Sequence, residues 1–209
     1  MLNYLSHNRK ELITFVTLAL ASVLFLAFYF LGWLKWLEPI SYDWQNKEDR
    51  NHWFIQILLI KWEVLVAAVL ALLIGTELIV RFGFKYSHFR VAFVTIATIA
   101  VSAIVVYFLK VCIGRVRPVT SERYPDINDS FPSGHTLMTT VIFFSLALLA
   151  YKNNYFVLAF VLCFPPIIMG ISRIRTGEHF IDDVIAGWLI GVACTFGVHL
   201  FYYYFFPNL

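Results

Sequence analysis

The feature that most constrains the fold is a series of long apolar segments separated by short charged connections. Each segment is close to the ~17–25 residues that cross a hydrocarbon core of about 30 Å as an α-helix. Lipid offers backbone N–H and C=O groups no hydrogen-bond partner, so segments of this kind must be helical. The six segments are residues 12–34, 64–80, 91–109, 136–151, 155–171 and 184–206. We therefore predict an all-α polytopic membrane protein, a bundle of six transmembrane helices, with residues 1–209 forming a single membrane-embedded domain.

The composition agrees with this class. Hydrophobic residues make up 60% of the chain and charged residues only 14%, against about 45–50% and about 25% in soluble domains. The formal net charge of +3 comes from scattered basic residues, and we expect no nucleic-acid partner. Three cysteines, Cys112, Cys163 and Cys194, form no paired framework, so no redox compartment follows from them.

The number of crossings brings the two most charged connections to one face of the membrane. Residues 110–135 and residues 172–183 are separated by two spans, so both open on the same side. Lys and Arg counted over all connections would place this face inside. The basic residues Arg9 and Lys10 before the first span instead favour an N-terminus inside, and we expect the charged face to point outward. An interfacial helix is expected within the first connection, around residues 51–60.

The two charged connections contain positively charged side chains and hydrogen-bond donors of the kind that bind a phosphate group. Lys110, Arg117 and Arg173 supply three fixed positive charges with several donors each. Ser133 and Gly134 precede the fourth span, where free backbone N–H groups and the helix dipole also favour an anion. A phosphoryl group is the ligand that best matches this set.

Phosphoryl transfer also needs a nucleophile and an acid for the leaving oxygen. His179 and Asp183 are four residues apart, so at the start of a helix they share a face and the carboxylate can fix the imidazole tautomer. We therefore predict His179 as nucleophile and Asp183 as its orienting partner. His135 is predicted to protonate the leaving group and then to activate water.

These clusters resemble the signature of the type 2 phosphatidic acid phosphatase (PAP2) superfamily. The pattern of that family is K-x6-R-P, then P-S-G-H, then S-R-x5-H-x3-D. The matching positions are Lys110, Arg117, Pro118, Pro132, Ser133, Gly134, His135, Ser172, Arg173, His179 and Asp183. The resemblance implies a six-span fold with a PAP2-like catalytic core, a phosphohistidine at His179, acid–base catalysis by His135, and no metal or other cofactor. It further implies that Lys110, Arg117, Ser133, Gly134 and Arg173 hold the phosphate.

Other classes of protein are compatible with parts of the pattern. A metal hydrolase could use His135, His179, Asp182 and Asp183 as ligands, but three nearby cations would repel a divalent ion and no close ligand pair is present. An anion or lipid transporter could use the same charges, although the sequence shows no repeated halves. A lipid phosphotransferase with the same site is a further alternative.

The small bundle favours a substrate presented from the bilayer. Phosphorylated membrane lipids are therefore expected, namely phosphatidylglycerophosphate, phosphatidic acid, undecaprenyl diphosphate or lipid A, in a bacterial inner membrane. Five charged residues near the motifs have no assigned role: Arg115, Arg123, Arg175, Glu178 and Asp182. The three arginines could bind a second anionic group or could pair with Glu122, Asp126 and Glu178. The oligomeric state stays open, because the GxxxG spacing of Gly187 and Gly191 can serve packing within one chain or between chains.

Overall fold

The computed structural model describes residues 2–45, 86–118, 129–152 and 154–205. Within these ranges the chain forms helices and no strands. The helices are α1 (Leu2–Phe30), α2 (Leu37–Trp44), α3 (Tyr86–Ile113), α4 (Gly134–Lys152), α5 (Phe156–Val161), α6 (Phe164–Arg175) and α7 (Ile181–Phe205). The prediction of an all-α fold is confirmed.

Five of the six predicted spans correspond to helices in the described part of the chain. Four helical stretches are long and apolar enough to cross a membrane: Ile13–Phe30, Val94–Ile113, Phe156–Arg175 and Ile181–Tyr202. A shorter apolar stretch, Gly134–Leu148, belongs to the predicted fourth span. Many large apolar side chains on these helices face outward, among them Leu20, Ile104 and Val157, as lipid-facing surfaces require. The protein is an integral membrane protein. The predicted span 64–80 and the predicted interfacial helix 51–60 lie outside the described residues.

The charged stretch 172–183 is mostly helical, which differs from the loop that the sequence predicted. The fifth span was expected to end at residue 171, but α6 continues to Arg175, and α7 begins at Ile181 instead of residue 184. Lys110 likewise lies in the last turn of α3 and not in the connection after it. Apolarity marks where a helix is covered by lipid, whereas backbone hydrogen bonds continue the helix into the charged region.

The two prolines of the fifth span interrupt the helix as predicted. Helix α5 ends at Val161, and α6 begins at Phe164 with a proline in its first turn. A proline is tolerated there because the first N–H groups of a helix have no intrahelical acceptor. The interruption thus lies within the stretch Phe156–Arg175, which is long and apolar enough to be one span.

Helix α7 lies at the centre of the bundle and packs against α1, α2, α3, α4 and α6. Two of its glycines, Gly187 and Gly191, face the start of α4. A Cβ on Gly187 would lie 3.0 Å from the Ser133 carbonyl oxygen, and one on Gly191 would lie 2.9 Å from the Leu137 carbonyl oxygen. The GxxxG pair therefore packs within this chain, and it sets the beginnings of α4 and α7 side by side.

Candidate active site

A glycine turn between α6 and α7 places His179. Gly177 has φ +71°, the left-handed region that glycine enters without steric cost. The Glu178 N–H donates to the Arg173 carbonyl (3.1 Å), and the Gly177 N–H donates to the Ile174 carbonyl (3.0 Å). These two bonds form a Schellman motif, which satisfies the last carbonyls of α6. The chain then reverses, and the His179 N–H also donates to the Arg173 carbonyl (3.2 Å).

Asp183, in the first turn of α7, joins the second and third sequence motifs. Its Oδ2 accepts hydrogen bonds from the Ser130 hydroxyl (2.5 Å) and the Phe180 N–H (2.9 Å). Its backbone carbonyl accepts the Ser133 N–H (3.0 Å). The side chain is fully buried. The two charged connections therefore meet at one face, as the count of crossings predicted.

His179 is buried beside this carboxylate. Its Nδ1 lies 3.6 Å from Asp183 Oδ2 and 3.5 Å from Ser130 Oγ. Burial lowers the pKa of His179 below its ordinary value, and it outweighs the opposing influence of Asp183. The imidazole is thus neutral at physiological pH. Since the contacts with described residues are made by Nδ1, Nε2 is the ring nitrogen that a neutral imidazole can offer to a substrate.

Two of the predicted phosphate ligands are held by a carboxylate that the sequence analysis did not single out. Lys110 donates to the backbone carbonyl of Asp129, and its Nζ lies 3.6 Å from Asp129 Oδ2. Arg117 Nε and Nη2 each lie 2.9 Å from Asp129 Oδ1, and its Nη1 donates to Glu178. Burial alone would raise the pKa of Asp129, but the hydrogen bond from Arg117 and the charges of Lys110 and Arg117 lower it.

The remaining predicted residues converge on the same region. Arg173, in the last turn of α6, is only 2% exposed. His135, in the first turn of α4, is close enough to interact electrostatically with Arg173, His179, Arg117 and Lys110. A Cβ on Gly134 would lie 3.6 Å from Lys110 Cε, and the Ser133 hydroxyl bonds with that of Thr136 (2.9 Å) at the start of α4. All eight predicted site residues are therefore brought together.

Arg115 takes neither of the roles considered from the sequence. Its Nη1 bonds with Asp182 Oδ2 (2.7 Å) and Asp183 Oδ1 (2.6 Å), and its Nη2 bonds with Glu38 Oε1 (2.8 Å). The guanidinium carbon lies 4.1 Å from the centre of the Phe180 ring and 5.2 Å from that of Tyr29. Burial alone would lower the pKa of Arg115, but Asp183 and Asp182 raise it above its usual value. Arg115 is therefore a buried cation that holds the carboxylates of α7, and it is not free to bind a second phosphate.

Sequence reasoning assigned no role to Ser130, Asp129 and Glu38, which belong to this site. Ser130 stands two residues before the P-S-G-H motif, and this proximity was the one available signal. Glu38 lies on α2, 77 positions from its partner Arg115, and no pattern in the sequence connects them. Among the described residues there is no group of three or more His, Cys, Asp or Glu side chains that could hold a metal ion. Asp182 and Asp183, two ligands considered for a metal, are instead paired with Arg115.

The fold and the site define a class of protein. The chain is a helical membrane protein with a buried His–Asp pair next to three cations and a second histidine, an arrangement suited to phosphoryl groups. The family model described as "PAP2 superfamily" matches residues 91–207, and the chain belongs to this superfamily. The resemblance inferred from the three motifs is confirmed.

Curated relatives are similar over part of the chain. Phosphatidylglycerophosphatase B of Bacillus subtilis (strain 168) is 31% identical over 97 residues, which cover 42% of this chain and 46% of the relative. A lipid A 1-phosphatase of Rhizobium etli is 33% identical over 104 residues, or 45% of this chain and 43% of the relative. The bacitracin transport permease protein BcrC of Bacillus licheniformis is 39% identical over 84 residues, or 40% and 37%. This chain thus spans less than half the length of the curated relatives it matches.

One solved structure is similar over nearly the whole chain. The crystal structure of a transmembrane PAP2-type phosphatidylglycerolphosphate phosphatase from Bacillus subtilis superimposes with a TM-score of 0.68. The match covers 93% of this chain and 98% of the other, at 20% sequence identity. At this identity the likeness concerns the fold, and the fold is that of a transmembrane PAP2 protein.

Proposed function

We propose that this chain is a membrane lipid phosphatase that hydrolyses a phosphomonoester or diphosphate of a membrane lipid through a phosphohistidine intermediate, without a metal ion. The observation that carries the proposal is the buried, neutral His179 beside Asp183, with Lys110 and Arg117 within the same group of contacts. The names of the relatives, two of which are lipid phosphatases, support the same activity. We also propose that residues 1–209 form one domain, which the structural match over 93% of the chain supports.

In the first step, His179 Nε2 attacks the phosphorus atom and the bond to the leaving lipid oxygen breaks. Asp183 stabilises the positive charge that develops on the imidazole, and Ser130 keeps the carboxylate in place through its 2.5 Å hydrogen bond. The nearby cations Arg173, Arg117 and Lys110 disfavour a proton on His135 in the free protein. The negative charge of the bound phosphate offsets them, so His135 is protonated in the complex and gives its proton to the leaving oxygen. Lys110, Arg117, Arg173, the Ser133 hydroxyl and the Gly134 N–H stabilise the charge on the equatorial oxygens, the part of the transition state where electrostatic help is most effective.

In the second step, His135, now neutral, removes a proton from water as the water attacks the phosphorus atom. The P–N bond to His179 breaks, and inorganic phosphate leaves. The two steps return both histidines to their starting protonation states. If an alcohol replaced water, the same intermediate would give phosphotransfer, so adding glycerol during turnover and measuring glycerol phosphate distinguishes the two activities.

The test is phosphate release by the purified protein from phosphatidylglycerophosphate, phosphatidic acid, undecaprenyl diphosphate and lipid A. We expect release from at least one of these, unaffected by chelators and reduced about 10⁴-fold or more in His179→Ala, since loss of a covalent nucleophile removes most of the chemical acceleration. Cys112→Ala, at an exposed position of α3 close to Lys110, is the control that should keep full activity. Absence of release from all four lipids would contradict the proposal.

The covalent step has its own signature. With a ³²P-labelled aryl phosphate, whose leaving group needs no protonation, His135→Ala should still form the intermediate but should hydrolyse it slowly. We expect label on the protein that is stable in base and lost in acid, and none in the double variant with His179→Ala. Label that persists without His179 would contradict the phosphohistidine.

A further inference from the structure

Two carboxylates form ion pairs with the cations that are proposed to bind phosphate. Arg117 uses its Nε and Nη2 on Asp129 and its Nη1 on Glu178. Lys110 contacts both the backbone carbonyl and the carboxylate of Asp129. Glu178 is also close enough to Arg173 to interact with its charge. Each of the three cations is therefore in contact with, or in the field of, at least one of these carboxylates.

These contacts limit the positive charge that the site can offer to a substrate. Within the described part of the site, the charges of Lys110, Arg117 and Arg173 are opposed by those of Asp129 and Glu178, so these five side chains carry a net charge of +1. Both carboxylates are half-buried, with side chains 29% and 20% exposed, so water screens them only in part. The nearby Arg115 adds nothing, because it is neutralised by Asp182, Asp183 and Glu38.

A phosphate group that binds Arg117 must share or replace one of the two carboxylates, since both edges of the guanidinium are already in use. One phosphomonoester can do this, because it exchanges one oxyanion for another. A diphosphate brings a second anionic phosphate to the same place, where the remaining carboxylate repels it. A hydroxyl group next to the phosphate would instead donate a hydrogen bond to that carboxylate.

We propose that Asp129 and Glu178 are specificity-determining residues that favour lipid phosphomonoesters over lipid diphosphates. The inference rests on the proposed phosphatase function and narrows its substrate class. A role of Asp129 and Glu178 in specificity can be distinguished from a merely structural role. A carboxylate that only positions Lys110 and Arg117 affects both kinds of substrate equally, whereas a carboxylate that repels the second phosphate changes their ratio.

The test compares farnesyl phosphate with farnesyl diphosphate, which share one lipid chain and differ by one phosphate. The wild type should have the higher kcat/KM for the monophosphate. In Glu178→Gln and in Asp129→Asn, the ratio of diphosphate to monophosphate kcat/KM should rise about tenfold, the size expected for removing one like-charge contact in a partly buried site. Asp43→Asn removes an exposed carboxylate of α2 away from these cations, and its ratio should stay that of the wild type.

The outcomes separate the two proposals. The proposed preference for monophosphates is overturned if the ratio of diphosphate to monophosphate kcat/KM is unchanged in both variants, or if the wild type prefers the diphosphate. The proposed phosphatase function is not affected by either result. If neither substrate releases phosphate, the phosphatase function is judged by the panel of four lipids described above. In that case the affinities for inorganic phosphate and for pyrophosphate test the inference. Both variants must gain more affinity for pyrophosphate than for phosphate, and equal gains overturn the inference. If Asp129→Asn does not fold, Glu178→Gln carries the test alone, because this side chain lies in the turn and not in a helix.

Discussion

At the scale of single residues, the environment of His179 decides how this site can work. The imidazole is 1% exposed and its partner Asp183 is fully buried, yet the carboxylate keeps three hydrogen-bonding partners, Ser130, Phe180 N–H and Arg115. A buried carboxylate without such partners would be costly. The pair is therefore arranged so that the aspartate stays charged and the histidine stays neutral until a phosphoryl group arrives.

This arrangement predicts the acid limb of the pH–rate profile. The proposed nucleophile must be neutral to attack, and burial holds the pKa of His179 below its ordinary value of about 6.5. Lowering the pH through 6.5 should therefore not reduce kcat/KM, and a decline should begin only at lower pH, where the free enzyme takes up a proton on His179. The measurement is kcat/KM from pH 4 to 9 with a substrate whose own phosphate ionisation has been titrated. A decline that is half complete at pH 6.5 would contradict the neutral, buried nucleophile.

Arg115 provides a second test at this scale. It compensates two adjacent buried carboxylates and is stacked against two aromatic rings. Arg115→Ala leaves these charges uncompensated and should lower stability by about 3–5 kcal/mol, as measured for broken buried ion pairs. Arg115→Lys keeps the charge but loses the several N–H donors and the planar stacking of the guanidinium, so we expect an intermediate loss of stability. Thermal unfolding in detergent checks the order of the two variants.

The control for Arg115 is its most exposed partner. Glu38 is 40% exposed, and Glu38→Gln should cost at most about 1 kcal/mol, the usual value of a solvent-screened pair. Equal losses in Arg115→Ala and Glu38→Gln would mean that the contacts with Asp182 and Asp183 are not the important ones.

At the scale of helices, the site is assembled from the beginnings of α4 and α7 and the ends of α3 and α6. Helix α2 supports the start of α7. Its buried Ser41 accepts the N–H of Ile181 (3.0 Å), and Tyr42 packs edge-on against Phe180. The first N–H groups of α7, which would otherwise lack acceptors, are thus satisfied partly by α2. The position of Asp183 depends on how closely these helices approach one another.

The close approach of α4 and α7 gives a prediction with an internal control. An alanine at Gly187 would place its Cβ 3.0 Å from the Ser133 carbonyl, and one at Gly191 would place it 2.9 Å from the Leu137 carbonyl. Both should destabilise the bundle by about 1–3 kcal/mol, as overpacking usually does. Only Gly187 lies opposite Ser133, which bonds with Asp183. Gly187→Ala should therefore lower kcat about tenfold or more, and Gly191→Ala should change kcat less than threefold; equal effects on kcat would contradict this link.

Sequence reasoning predicted the helices and the residues that lie together at the candidate site, but it did not predict the ion pairs. Apolar segment length predicts spans because the bilayer fixes it. His179 and Asp183 lie together as predicted, but His179 stands in the turn before α7 and not on the helix itself. Arg115 with Asp182, and Arg117 with Asp129 and Glu178, depend on how helices pack. Several partners were available to each cation, and only the tertiary structure selects among them. Ser41 and Glu38 belong to a helix that the sequence analysis did not predict.

At the scale of the whole molecule, the membrane side of the site determines which lipids can reach it. Lys35 follows α1 and borders a cavity of about 270 Å³ that Arg115 and Asp182 also line, so it lies on the face that carries the site. Asn154 is exposed in the turn between α4 and α5, one span away from that face. A site that faces outward would act on lipids of the outer leaflet of a bacterial inner membrane, and a site that faces inward would act on newly synthesised lipids.

These two positions form a matched pair for the outward orientation that we propose. In a background with Cys112, Cys163 and Cys194 replaced by serine, Lys35→Cys should react with a membrane-impermeant maleimide in intact spheroplasts. Asn154→Cys should react only after the membrane is permeabilised. Phosphate release by both variants establishes that each is folded before its labelling is interpreted. The opposite labelling pattern would place the site inside, in line with the count of Lys and Arg, because the positive charges around Lys110 and Arg117 would then have set the topology as well as the chemistry.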